Sequence, residues 1–198
     1  KFDAGTESFV ITETDDAYHF FADIQPKGGG QTPSTVTAHA SKQGEIKSVQ
    51  WNQKSAPPVA ATYTIDGPAL TATATKGDQA QPVQTVEFTD KHLLSVPAIA
   101  SGFLENRALA LKPGETRELT VLSFGYPDWR TMPSPYKVTR FEDTTIERNG
   151  AQVQCAHYIA ETTTPIGLFK TESWVDDNAI PYRAVITMPF GAVTFVRE

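Results

Sequence analysis

A single cysteine, Cys155, stands in a chain of 198 residues. No internal disulfide is possible, so core packing and backbone pairing must hold the fold. Cys155 falls in an alternating strand pattern, where a free cysteine behaves as a small core residue. Long apolar runs are also missing, and none approaches the roughly 18 to 20 residues that a membrane-spanning helix needs. Positive charge is sparse: 17 Lys and Arg against 23 Asp and Glu leave a net charge of −6. No basic cluster offers the counterion release on which phosphate-backbone binding depends, so we expect no nucleic-acid partner. Gly-x-Ser-x-Gly elbows, phosphate loops and dinucleotide fingerprints are absent as well, and no cofactor is expected. The histidines, His19, His39, His92 and His157, stand far apart with no pair at metal-ligand spacing, so no metal site is expected.

What the chain does have is strand-forming sequence. Threonine occurs 25 times, and about thirteen β-like runs, rich in Thr and Val, are punctuated by Gly, Pro, Asp or Asn. Glu7 to Thr14 alternates, and Asp15-Asp16 turns it into Tyr18 to Gln25. Further runs span Thr35 to Ala40, Glu45 to Gln53, Ala60 to Ile65 and Leu70 to Thr75, the last two flanking Asp66-Gly67-Pro68. After residue 110 the runs are Glu118 to Phe124, Tyr136 to Phe141, Thr144 to Arg148 and Gln152 to Glu161. Three more strands lie between Gly167 and Glu198, joined by turns at Asp176-Asp177-Asn178 and Pro189-Phe190-Gly191. One segment departs from this period. From Thr89 or Asp90 to Leu109 the apolar spacing shifts toward three and four, which predicts a helix over about 90–110, kinked or split by Pro97.

The expected fold is mainly β: one domain over 1–198, an antiparallel meander forming an open or closed β-barrel with the helical segment packed in or against it. So many strands must curl to protect their edges, and the interior of such a sheet is the usual place for a ligand. Strands such as Tyr18 to Ile24 and Phe190 to Val196 are apolar on both faces. That pattern predicts helix on one side and a second layer or a cavity on the other.

The run Leu111-Lys112-Pro113-Gly114-Glu115, the strand pair after it and Gly150 before a long strand form one set of signatures. Trp174-Val175-Asp176-Asp177, Ile180-Pro181-Tyr182-Arg183 and a last strand opened by Gly191 form another. Together they resemble a family of uncharacterised exported bacterial proteins, itself similar to the lipoprotein carriers LolA and LolB. The resemblance is clear over 90–198 and looser before it. It implies an open antiparallel β-barrel wrapped around or capped by helix and enclosing an apolar cavity, and it carries over no functional residue.

Candidate site residues come from two places. Glu172, Trp174 and Asp176 share one strand face, with Tyr182 or Arg183 able to approach across the Asp177-Asn178 turn. Paired carboxylates beside an aromatic suit glycoside hydrolysis. The stronger reading is Glu172 and Arg183 as a cross-strand ion pair on a wet face, and Asp176 with Asp177 as turn formers. The stretch from Phe124 to Tyr136 holds four aromatics, Met132 and three prolines, and offers Tyr126, Trp129 and Tyr136 either to a ligand at a barrel mouth or as a plug of one barrel end. His157 reads as a hydrogen-bonded core histidine. A Cys155-His157 dyad has poor geometry at a spacing of two on a strand.

The leading expectation is a non-enzymatic protein that holds an apolar or amphipathic small molecule, a lipid or lipidated component of the cell envelope, in a barrel cavity. A chain beginning at Lys1 suggests a removed signal peptide and hence a periplasmic or secreted bacterial protein; membrane association through an upstream anchor is left open. The alternatives are a carbohydrate-active enzyme or sugar-binding module using Glu172 and Asp176, and a protein-interaction scaffold.

Overall fold

The computed structural model describes residues 3–27, 32–124, 129–148 and 150–198; Tyr126 lies outside them. Among the described residues there are fifteen strands and one α-helix. The first half contributes β1 (Gly5–Glu13), β2 (Ala17–Pro26), β3 (Ser34–Ser41), β4 (Ile46–Gln53), β5 (Val59–Asp66), β6 (Ala69–Lys76), β7 (Gln79–Ala80) and β8 (Gln84–Glu87). These pair in chain order from β1 to β7, with β8 also on β6, as one antiparallel sheet. The second half contributes β9 (His92–Leu94), α1 (Gly102–Leu109), β10 (Thr116–Ser123), β11 (Met132–Arg148), β12 (Ala151–Thr164), β13 (Gly167–Val175), β14 (Pro181–Met188) and β15 (Gly191–Val196). Its strands form a second sheet in unbroken chain order from β9 to β15. The fold is thus mainly β, built of meanders with one short helix, as the alternation implied.

The helix is shorter than the apolar spacing predicts. Thr89 and His92 close a tight turn, with His92 N–H donating to the Thr89 carbonyl at 2.9 Å, and the chain then pairs parallel to β10 as β9. Proline lacks the N–H a helix needs, and it disfavours helical geometry at the preceding residue. Around Val96-Pro97 the chain therefore runs irregularly, gathers three-residue turns from Ala98 to Leu104, and becomes regular only at Gly102. Ser101 places no side-chain cap on the helix. The donors just before it are instead capped by Glu7 of β1, whose carboxylate oxygens accept Ile99 and Ala100 N–H, each at 2.8 Å.

The two sheets differ in what they put inward. The first alternates large residues, Tyr18, Phe20, Val36, Trp51, Tyr63 and Leu70, all buried. Phe103 of α1 packs edge-on to Tyr18 with ring centres 5.6 Å apart, and Phe124 stacks on Tyr63 at 3.8 Å. Burying a side chain such as Phe103 contributes about 1.5–3 kcal/mol. Trp129 is buried in this same core. The opposite face of β2 is not covered by a second layer: Phe21 is 42% exposed. Phe190, in the turn before β15, is 73% exposed.

Three features shape the second sheet. β11 runs 17 residues as one strand, with a bulge between Phe141 and Thr144. Pro133 and Pro135 fall in its first four residues, before pairing with β12 begins at Tyr136, so one edge there requires no donor. Gln84 of β8 holds the loop leading into β11. Its side-chain amide donates to the Thr131 carbonyl at 3.1 Å and accepts Thr131 N–H at 2.9 Å, imitating one rung of a β-ladder between the sheets.

Candidate functional site

The second sheet places small or hydroxyl side chains on the inner face of its central strands. Tyr158, Ala160 and Thr162 of β12 lie opposite Ser173, Thr171 and Phe169 of β13, and Ser173 and Thr171 lie opposite Ala184 and Ile186 of β14. Tyr158, Phe169 and Ile186 apart, these residues are small and leave space below α1 unfilled. A cavity of about 950 Å³ results, bounded by the 93–109 stretch and the inner face from β10 to β14, and reaching Ile24, Ile46 and Ile65 of the first sheet. Its size lies in the range of small-molecule sites.

Most of the lining is apolar, and its polar groups are mostly committed. Glu7 is tied to the backbone before α1; burial pushes its carboxyl above the ordinary value, and those two hydrogen bonds oppose the rise. Ser101 donates to the Val96 carbonyl at 3.2 Å, and Asn106 donates to the Ala179 carbonyl at 3.2 Å. Glu105 is different. Tyr136 donates its hydroxyl to Oε1 of Glu105, while Oε2 has no protein hydrogen-bond donor among the described residues. Burial raises the Glu105 carboxyl, opposed by the Tyr136 hydrogen bond. Burial and the neighbouring carboxylate hold the Tyr136 phenol well above its ordinary value.

Of the described residues offered as candidate site residues from sequence, Tyr136 lines this cavity and Trp129, Glu172, Trp174, Asp176, Tyr182 and Arg183 do not. Trp129 is core, its carbonyl accepting the Tyr63 hydroxyl and the Arg130 guanidinium lying 5.8 Å from its ring centre. Glu172, Trp174 and Arg183 sit on the outer face of the second sheet. There His157 lies between Phe141 and Trp174, at ring distances of 5.3 and 5.4 Å, and donates to or accepts from Glu172 at 2.9 Å. His157 is therefore hydrogen-bonded, but on the outer face rather than in the core. Arg183 lies over Trp174 at 5.0 Å instead of pairing with Glu172. His157 on β12 and Arg183 on β14 flank Trp174 from both sides, so neither face of its ring is free to stack on a sugar.

Asp176 is held by its own turn. Its Oδ1 accepts Asn178 and Ile180 N–H at 2.9 Å each, and its Oδ2 pairs with Arg197 at 2.7 Å. Tyr182 lies beneath two guanidinium groups, Arg148 at 4.5 Å and Arg197 at 4.2 Å. Cys155 is buried, and its thiol is pushed up first by burial and then by the Asp176 charge, the reverse of what a nucleophile needs.

No protein-family profile and no curated sequence matches the chain at a significant level. Solved structures do. A DUF1089 family protein from Pseudomonas aeruginosa is 15% identical, with a TM-score of 0.60 over 99% of this chain and 94% of that one. A beta-barrel-like protein of the domain of unknown function DUF1849 from Brucella abortus is 10% identical, with a TM-score of 0.62 over 95% of this chain and 83% of that one. At such identities the likeness is one of fold.

Two features escaped the sequence reading. His19 and His39, twenty residues apart, are direct neighbours across β2 and β3 with ring centres 4.5 Å apart, because the hairpin register places them so. Glu105 was passed over because it looked like any surface glutamate of a short helix. The available signal is its place directly after Phe103-Leu104, on a short helix whose buried residues are Phe103, Leu104 and Leu109.

Proposed function

We propose that this protein binds an apolar or amphipathic molecule in the cavity between α1 and the second sheet, and that it does so without catalysis. The observation that carries the reading is the cavity itself, about 950 Å³ with a mostly apolar lining, beside a first sheet whose inner face buries a large aromatic and aliphatic cluster. The turn signatures that resemble the LolA- and LolB-like family support the same reading, and with it a role in the bacterial envelope as a periplasmic or secreted carrier of a lipid or lipidated component. The sugar-directed alternative lacks a comparable observation, since Trp174 is flanked on both faces and Asp176 is engaged by its own turn.

The test is native mass spectrometry of protein purified from a bacterial periplasm, followed by organic extraction. A stoichiometric amphiphile is the expected result. A bare polypeptide mass, together with no uptake of the neutral fluorophore Nile red, overturns the proposal.

A further inference from the structure

The cavity holds a half-buried carboxylate that the fold does not neutralise. Glu105 projects from the first turn of α1 and takes one hydrogen bond, from Tyr136, which is itself buried. Its second oxygen has no donor among the described residues, and no Lys, Arg or His forms an ion pair with it. A carboxylate drawn partly out of water gains from a partner of opposite charge. The contrast with Glu7, another carboxylate lining the cavity, is direct, since both of its oxygens are taken by backbone N–H groups, whereas Glu45 and Asp90 of the same lining are exposed.

We propose that the occupant of the cavity is an amphiphile with a cationic, hydrogen-bond-donating head, a primary ammonium on an apolar body, and that Glu105 receives that head. The proposal rests on the cavity reading above and adds the head-group chemistry. An ammonium supplies both things Glu105 lacks, a donor for Oε2 and a counter-charge, and charge-assisted bonds are roughly twice as strong as neutral ones. The raised carboxyl of free Glu105 fits a site that waits for a cation. A fatty-acid anion meets the opposite situation, with repulsion from Glu105 and two exposed cations at the rim, Arg117 and Lys47, the second of which is already paired with Glu45 at 3.2 Å. Arg117 is exposed, where solvent and salt screen its pull. Thr171 and Ser173 add hydroxyls that suit either head and do not discriminate.

The experiment is displacement of Nile red from the folded protein by dodecylammonium, dodecanol and dodecanoate, each below its micelle concentration. Dodecylammonium is expected to displace the dye at about tenfold lower concentration than dodecanoate, with dodecanol between them. Glu105→Gln keeps an acceptor for Tyr136 and should abolish this ranking while Nile red still binds. Where Glu105→Gln fails to fold, the preference of the parent protein for dodecylammonium over dodecanol is followed against pH instead; it should fall as acid protonates the Glu105 carboxyl, and a preference unchanged by pH overturns the assignment. Equal displacement by the ammonium and the carboxylate, or a ranking that survives Glu105→Gln, overturns the head-group assignment and leaves the cavity reading standing. Failure of Nile red and all three amphiphiles to bind overturns both.

Discussion

Gly44, in the turn between β3 and β4, lies against the carbonyl of Leu104 so closely that a Cβ on it would stand 2.3 Å from that oxygen and 2.8 Å from Ala108 N. Its φ of +86° is also in the left-handed region that side chains avoid. This turn is where the first sheet docks on α1. Gly44→Ala is therefore expected to push the helix away and to cost about 2–4 kcal/mol, from clash and backbone strain together. Chemical denaturation measures the cost. A loss under about 1 kcal/mol would show that the helix yields freely at this point.

The pH dependence of stability follows from Glu105. Its folded pKa lies above the ordinary 4.5 because burial disfavours the charge. Between those two values the folded state holds more protons than the unfolded one. Stability from this group is thus fully present below the unfolded pKa and is lost as pH rises through the folded pKa. Glu105→Gln should be more stable than the parent near pH ~7.5, with the difference shrinking as pH falls below about 4. Glu7 shifts in the same direction but is common to both proteins and cancels in the comparison. Urea midpoints across this range measure the effect, and a difference independent of pH contradicts it.

Ala110 ends α1 at φ 46° and ψ 40°, with its N–H donating to the Asn106 carbonyl at 3.0 Å. That is a left-handed helix terminus usually filled by glycine. An L-residue there costs about 1–2 kcal/mol, and glycine returns about half of that gain as unfolded-state entropy. Ala110→Gly, at an exposed position, should stabilise the protein by about 0.5–1 kcal/mol. Thermal unfolding decides, and a lower midpoint rules the argument out.

Asp176 makes a graded test of its own role. Asp176→Ala deprives two backbone N–H groups and Arg197 of their acceptor, for an expected loss of about 2–4 kcal/mol. Asp176→Asn retains an oxygen for the N–H groups and should lose less, mainly the ion pair. Equal losses in the two variants would mean that the Arg197 pair is the greater part of the contribution. A nearly neutral Asp176→Ala would remove the turn-forming role altogether.

Strands were legible wherever one face is buried, because alternation there is imposed by the core. Thr35 to Ala40 becomes β3 and Leu70 to Thr75 becomes β6, each extended by about one residue at either end. The short pieces were not legible: β7 to β9 hold two to four residues each, too few for a period to register. The helix was overextended because residues 92–99 have apolar spacing that suits a helix while their backbone partners lie elsewhere, β10 for His92 to Leu94 and Glu7 for Ile99. The site was harder still. Of the side chains nominated from sequence, Tyr136 reaches the cavity, and the partner that gives it chemical meaning, Glu105, is 31 residues away in sequence. Small residues that leave space, such as Ala160 and Ser173, carry no signal of their own; they matter only through the strands that face them.

Since β9 and β10 run side by side and parallel, with α1 in the chain that joins them, the helical wall is strapped at both ends to the sheet it faces. It cannot swing outward as a hinged domain without tearing β9 from β10. The weak part of the wall is the irregular stretch 96–101, whose amides are held by single turns and by a carboxylate borrowed from β1. In amide-exchange terms the chamber opens as a small local event while α1 and β10 stay protected. An occupant would be felt first as slowed exchange at Ile99 and Ala100, well before any change in the global unfolding rate.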